Sequence, residues 1–194
     1  MNKQSTLFPE HELSVLKELS LKEAQAIAEQ TKTSVASYCE KLEVAGSIRR
    51  QKPTVHDVDF VAIAESDLGW QKITQTLKHH KAKLLCSGNS VIKALVPCEK
   101  GVFQVDFYRA QPNTWGIHLL VRTGSAEHNT WLASLAISKG MRIKYSQGLV
   151  KDDFVIAGET EQSVFEALGL PIPEPPQREI VGNKPVWMPD SETK

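Results

Sequence analysis

The sequence predicts an α+β fold in two parts, and three observations predict it. Over roughly the first 110 residues, helix-spaced and strand-like segments follow in the order helix, strand, strand, helix, strand, strand. At Gln111-Pro112-Asn113 the pattern breaks, which marks a boundary between subdomains. Beyond the break, one longer helical segment precedes a small pair of strands and a short amphipathic helix.

The elements follow in order. Residues 21–38 place Ala24, Ile27, Ala28 and Val35 at the spacing of one buried helical face. A strand over 42–45 leads into a Gly-Ser turn, and 60–64 completes a second, acidic strand. Residues 70–78 form a helix with Ile73 and Leu77 four apart on one side. Two β-rich strands, 90–97 and 102–109, are joined by Cys98-Glu99-Lys100-Gly101. In the second part, Gly124-Ser125 feeds a helix over 126–138 that stops at Lys139-Gly140, a glycine cap preceded by lysine. Strands at 142–145 and 154–156 make a small hairpin sheet, and 161–168 a short helix. From Pro171 prolines cluster, so extended chain is expected, with frayed residues at 190–194.

Residues 46–60 carry the chemistry. Gly46-Ser47 is followed by Arg49-Arg50 and then by Asp57-Val58-Asp59-Phe60. Strand side chains alternate, so Asp57 and Asp59 point one way while Val58 and Phe60 face a core. Two such carboxylates at about 4 Å repel by roughly 4 kcal/mol at an effective dielectric near 20. A divalent cation turns that penalty into attraction, and Mg²⁺ takes carboxylates together with substrate phosphates. Taken alone, the pair also reads as two solvated acids on an edge strand. The upstream turn favours the metal: Gly46 lets backbone approach a phosphate, Ser47 donates, and Arg49 and Arg50 are planar permanent cations. A third acid, Asp106, lies between Val105 and Phe107 in a strand, either outward-facing or paired, metal-bound or poised as a base.

These residues resemble the nucleotidyltransferase superfamily and, more fully, the X family of DNA polymerases in its bacterial branch. Gly46-Ser47-Ile48-Arg49-Arg50 is similar to that family's phosphate segment, and Phe103-Gln104-Val105-Asp106 to its third-aspartate strand. Arg122-Thr123-Gly124-Ser125, with Asn129 beyond it, is similar to its T-G-S turn and helix start. Ser138-Lys139-Gly140-Met141-Arg142-Ile143, and the segment from Ala157-Gly158-Glu159 to Gly169-Leu170-Pro171, resemble the hairpin and tail that follow. The landmarks occur in family order over roughly residues 40–180.

The resemblance implies a palm, a mixed sheet with helices on one face, over 1–112, a nucleotide-selecting subdomain over 113–182, and an extended tail over 183–194. It implies two Mg²⁺ ions, with Mn²⁺ a substitute, held by Asp57, Asp59 and Asp106 as catalytic residues. Gly46, Ser47, Arg50, Arg122, Gly124 and Asn129 would bind the nucleoside triphosphate, with Asn129 at the base edge or else simply a polar residue on a helix surface. The implied reaction is nucleotidyl transfer to a 3′-hydroxyl, as in gap-filling DNA synthesis for repair. The alternatives are a template-independent enzyme, a modifier of RNA or protein, and an inactive module that binds nucleotide or DNA ends.

The departures bear on specificity. Val121 and Arg122 stand where the family carries two aromatic residues against the sugar, so ribonucleotides are open as substrates; Arg122 is read as a phosphate or sugar contact or an exposed side chain. Ala133 stands where many relatives carry an arginine against the template, and His56 replaces a small residue. No helix-hairpin-helix segment or lyase domain is expected before the palm, nor a phosphoesterase domain after it, so lyase and exonuclease activities are not expected.

Composition is that of an ordinary globular chain: 194 residues, 41% hydrophobic and 24% charged. No apolar run approaches the ~20 residues of a membrane span, and residues 1–10 lack a signal peptide's character. Cys39, Cys86 and Cys98 are odd in number and lack metal-ligand spacing, pointing to a reducing cytoplasm. Formal net charge is zero, against 23 basic and 23 acidic residues. Binding to a DNA primer–template or gapped DNA is therefore expected to be weak and salt-sensitive, and the protein a monomer.

Overall fold

The computed structural model describes residues 14–182 and 184–188, so the expectations for 1–10 and 190–194 lie outside the described residues. In chain order the first elements are β1 (Leu19–Ser20), α1 (Leu21–Val35), β2 (Cys39–Val44), α2 (Gly46–Arg49), β3 (Thr54–Val55), β4 (Val58–Ala64) and α3 (Asp67–His79). Then come β5 (Lys83–Ser87), β6 (Val91–Cys98), β7 (Gly101–Arg109), α4 (Trp115–Thr123) and α5 (Ala126–Ser138). The chain continues through β8 (Met141–Lys144), β9 (Gly148–Lys151), β10 (Phe154–Ala157), α6 (Glu161–Ala167), β11 (Ile180–Val181) and β12 (Lys184–Pro185).

Five strands form a mixed sheet in the order β2-β4-β7-β6-β5, with β4 and β7 parallel and the other pairs antiparallel. The α+β class with a mixed sheet is thus as the sequence predicts. Helix α1 starts where Ser20 and Glu23 close a capping box, satisfying amide groups that a helix start leaves unpaired. Helix α3 starts at Ser66, whose hydroxyl accepts the Gly69 amide at 3.0 Å. Both helices pack on one face of the sheet: Ile27 and Ala28 of α1 and Trp70, Ile73 and Leu77 of α3 meet Val58, Phe60, Ala94, Phe103 and Phe107. Phe60 and Phe107 stack at 4.8 Å between ring centroids, locking β4 to β7.

The alternate residues of β4 and β7 point to the opposite face, which is where Asp59 and Asp106 emerge. One end of that face is covered by α4, whose Trp115 and Leu119 pack on Ala45, Val61, Ile63 and Ala110. Each such buried side chain stabilises by about 2 kcal/mol. The other side of α4, with Ile117 and Leu120, enters a second core with Leu132, Leu149, Val164, Phe165 and Leu168. Helix α4 is therefore the joint between the two cores. Gly116 is required there, since a Cβ would strike the Thr160 backbone.

Several elements differ from the expectation. The 21–38 helix ends at Val35 and finishes as a 3₁₀ turn, Ala36–Tyr38. The Gly-Ser turn is the helical turn α2. Strands β5 and β9 and helix α4 are additional. The segment after Pro171 is not simply extended: Pro175–Gln177 is a 3₁₀ turn, and β11 and β12 form a short hairpin. Its Trp187 packs edge-on against Trp131 and Phe165, which is why the segment folds back.

Candidate active site

Asp59 and Asp106 are register partners on β4 and β7, and Asp57 sits immediately before β4. Oxygen atoms of the three carboxylates all lie within 4.8 Å of one another. Asp106 is almost fully buried, and its position is fixed from three sides. Gln104 Nε2 donates to Oδ1 at 3.0 Å, Tyr108 Oη donates to Oδ2 at 3.1 Å, and the Lys93 ammonium also bonds Oδ2. Gln104, Asp106 and Tyr108 alternate along β7 and so share a face, while Lys93 lies directly across on β6.

The charges are poorly compensated. Burial, and then Asp57 and Asp106, push the Asp59 carboxyl up to about 7. Burial, and then Asp106, also raise Asp57. Three oxygen-donor carboxylates gathered this closely suit a hard divalent cation of the Mg²⁺ or Mn²⁺ type. On donor chemistry the residues fit such an ion.

The turn upstream abuts this cluster. The Ala45 amide donates to the Asp59 carbonyl at 2.8 Å, and Gly46 adopts φ 60°. A Cβ at Gly46 would run into Asp59 Oδ2, so only glycine lets the turn pass the carboxylate. Ser47 follows, half-buried, in the first turn of α2. Arg50 caps α2; its Nε reaches Glu179 at 3.2 Å and its Nη1 bonds the Thr123 carbonyl. Gly124, at φ 77°, lies beside Arg50, so the Gly46-Ser47 turn and the Thr123-Gly124-Ser125 turn meet.

Arg49, read from sequence as a second phosphate donor, is committed elsewhere. It forks onto Glu161 at 2.9 and 2.6 Å and donates to Thr123 Oγ1 at 2.7 Å. Glu161 also takes the fully buried Arg178, so an Arg-Glu-Arg triad ties α2, α6 and the chain's last segment together. The guanidinium of Arg122 lies 3.6 Å from the Tyr108 ring centroid, and its charge holds the Asp59 carboxyl below where it would otherwise stand. Asn129 gives its Nδ2 to the Val121 carbonyl at 2.7 Å, leaving its buried Oδ1 without a partner. His56 is exposed, 3.9 Å from Glu18. Lys93, Gln104 and Tyr108 were not singled out in the sequence; the available signal was polar residues at alternate positions of two otherwise apolar strands.

Among the described residues no helix is long and apolar enough to cross a membrane. The family described as DNA polymerase beta thumb matches residues 118–179. The DNA polymerase/3′-5′ exonuclease PolX of Bacillus subtilis is 26% identical over 140 residues, covering 72% of this chain and 24% of that protein. DNA polymerase IV of Saccharomyces cerevisiae is 31% identical over 81 residues, covering 42% of this chain and 14% of that protein. The chain thus spans a quarter or less of these relatives' length. The crystal structure of Leishmania infantum polymerase beta superposes with a TM-score of 0.73 at 18% identity, covering 84% of this chain and 77% of that one. The thumb match, the relatives and the shared fold all point the same way: the chain is similar to DNA polymerases of the X family.

Proposed function

We propose that this protein transfers a nucleotide from a nucleoside triphosphate to a 3′-hydroxyl, as a small gap-filling, DNA-directed DNA polymerase of DNA repair. One observation supports the reading: oxygens of three carboxylates gather within 4.8 Å, against a glycine turn that passes so close to Asp59 that a Cβ would strike it. Residues 1–112 serve as the palm and 113–182 as the nucleotide-selecting part.

Asp57, Asp59 and Asp106 would hold two divalent cations, Mg²⁺ or Mn²⁺, which when bound supply charge neutralisation and acidify the attacking hydroxyl. Asp106, oriented by Gln104 and Tyr108, would accept the 3′-hydroxyl proton on a carboxylate oxygen. The Gly46 backbone, Ser47 and Arg50 bind the β- and γ-phosphates and stabilise charge on the departing pyrophosphate. Gly124 would let backbone pass the sugar, and Asn129, near the start of α5, would meet the base.

A second reading, transfer without a template or to another acceptor, is favoured by Ala133 and by the balanced charge of the chain. Primer extension on gapped and on single-stranded DNA, with each of four nucleotides in both sugar forms, separates the two. Template-matched addition on gapped DNA supports the first. Untemplated addition supports the second, and no addition on either removes both.

A further inference from the structure

We infer that Lys93 is a positioning residue of the acidic site: a resident cation that holds Asp106 in place and gives up its seat to an incoming divalent ion. The inference rests on the metal reading above. Lys93 is set across from Asp106 by the antiparallel register of β6 and β7, so the backbone, not an adaptable loop, delivers its ammonium to Oδ2. That oxygen is shared with Tyr108, and Oδ1 accepts from Gln104, so Oδ2 has both of its acceptor positions filled while Lys93 is docked.

Asp106 is 1% exposed, whereas the Lys93 side chain is 38% exposed. The ammonium therefore has a way out to solvent along its flexible four-carbon stem, and the carboxylate has none. The Lys93 ammonium sits against a cluster whose three carboxylates lie within 4.8 Å of one another. A divalent cation within the same 4.8 Å cluster and an ammonium on Oδ2 repel, and one must leave. Lys93 thus keeps the metal-free site assembled and sets how tightly metal is held.

The test is direct Mn²⁺ binding by the full chain, read from the free-ion signal in electron paramagnetic resonance, alongside thermal melting in chelator. Lys93→Met should bind Mn²⁺ roughly tenfold more tightly, the factor for removing a competing ion pair of about 1.4 kcal/mol. The same variant should melt lower than wild type without metal, and Lys93→Arg should behave like wild type in both. Lys93→Gln repeats the measurement should the methionine variant fold poorly. Unchanged or weaker Mn²⁺ binding in the neutral variants overturns the inference while leaving the metal site standing. Absence of Mn²⁺ binding by the wild type overturns both together.

Discussion

Asp59 and Asp106 face each other as register partners on adjacent parallel strands, with oxygens close enough to share an ion. Parallel pairing places them side by side on the face away from α1 and α3, and neither can relax by turning outward. Without a cation this arrangement opposes folding. Asp59→Asn should therefore raise the melting temperature in chelator at pH 8, by roughly 2–4 °C if about 1 kcal/mol of repulsion is relieved. The same variant should lose most of the Mg²⁺-induced stabilisation expected of wild type. A lower melting temperature in chelator would show that the carboxylate is held by favourable contacts instead.

His128 gives the fold an acid limit. The imidazole is fully buried beside Trp131 and Phe165, and burial, then Arg178, depress its pKa from 6.5 to about 4. Between those values the unfolded chain binds a proton that the folded chain refuses. The contribution is present above pH 6.5 and drains away as pH falls toward 4, by up to roughly 1.4 kcal/mol per pH unit. His128→Phe should flatten this part of the melting-temperature profile between pH 7 and 5. A profile parallel to wild type would exclude His128 as the cause.

Glu161 joins Arg49 of α2 to Arg178 of the last segment. Removing its charge leaves two guanidinium groups facing each other in a buried site. Breaking a buried pair this way costs about 3–5 kcal/mol, so Glu161→Gln should show a loss of that order in denaturant titration. A loss below about 1 kcal/mol would mean that solvent already screens the triad.

Arg122 on Tyr108 replaces an aromatic surface with a cation beside Asp59. Arg122→Phe and Val121→Tyr should each sharpen selection for deoxynucleotides, read as the ratio of kcat/KM for the two sugars. An unchanged ratio would remove both positions from sugar discrimination.

Much of this was legible in the sequence, for a physical reason. Asp57, Asp59 and Asp106 stand in apolar strand sequence, where unpaired charge is costly, and Gly46-Ser47 supplies a conformation few residues can. Local chemistry of that kind survives without knowledge of the fold. Helix α4 was not read in the sequence: Trp115, Ile117, Leu119 and Leu120 pack into two cores, and only His118, Val121 and Arg122 mark its less buried side. Strands β5 and β9 were hidden similarly, β5 by an exposed edge position that requires no alternation. Lys93 and the Arg49-Glu161-Arg178 triad depend on pairings between distant segments, which only register and packing reveal.

The central claim is that Asp106 belongs to the reacting site and not merely to the sheet. The most direct measurement is single-nucleotide addition to gapped DNA in Mg²⁺ by wild type and Asp106→Ala, with triphosphate binding followed in parallel. The account predicts addition by wild type, loss of at least about a thousandfold in the variant, and triphosphate binding largely retained. Undiminished addition by the variant would contradict it.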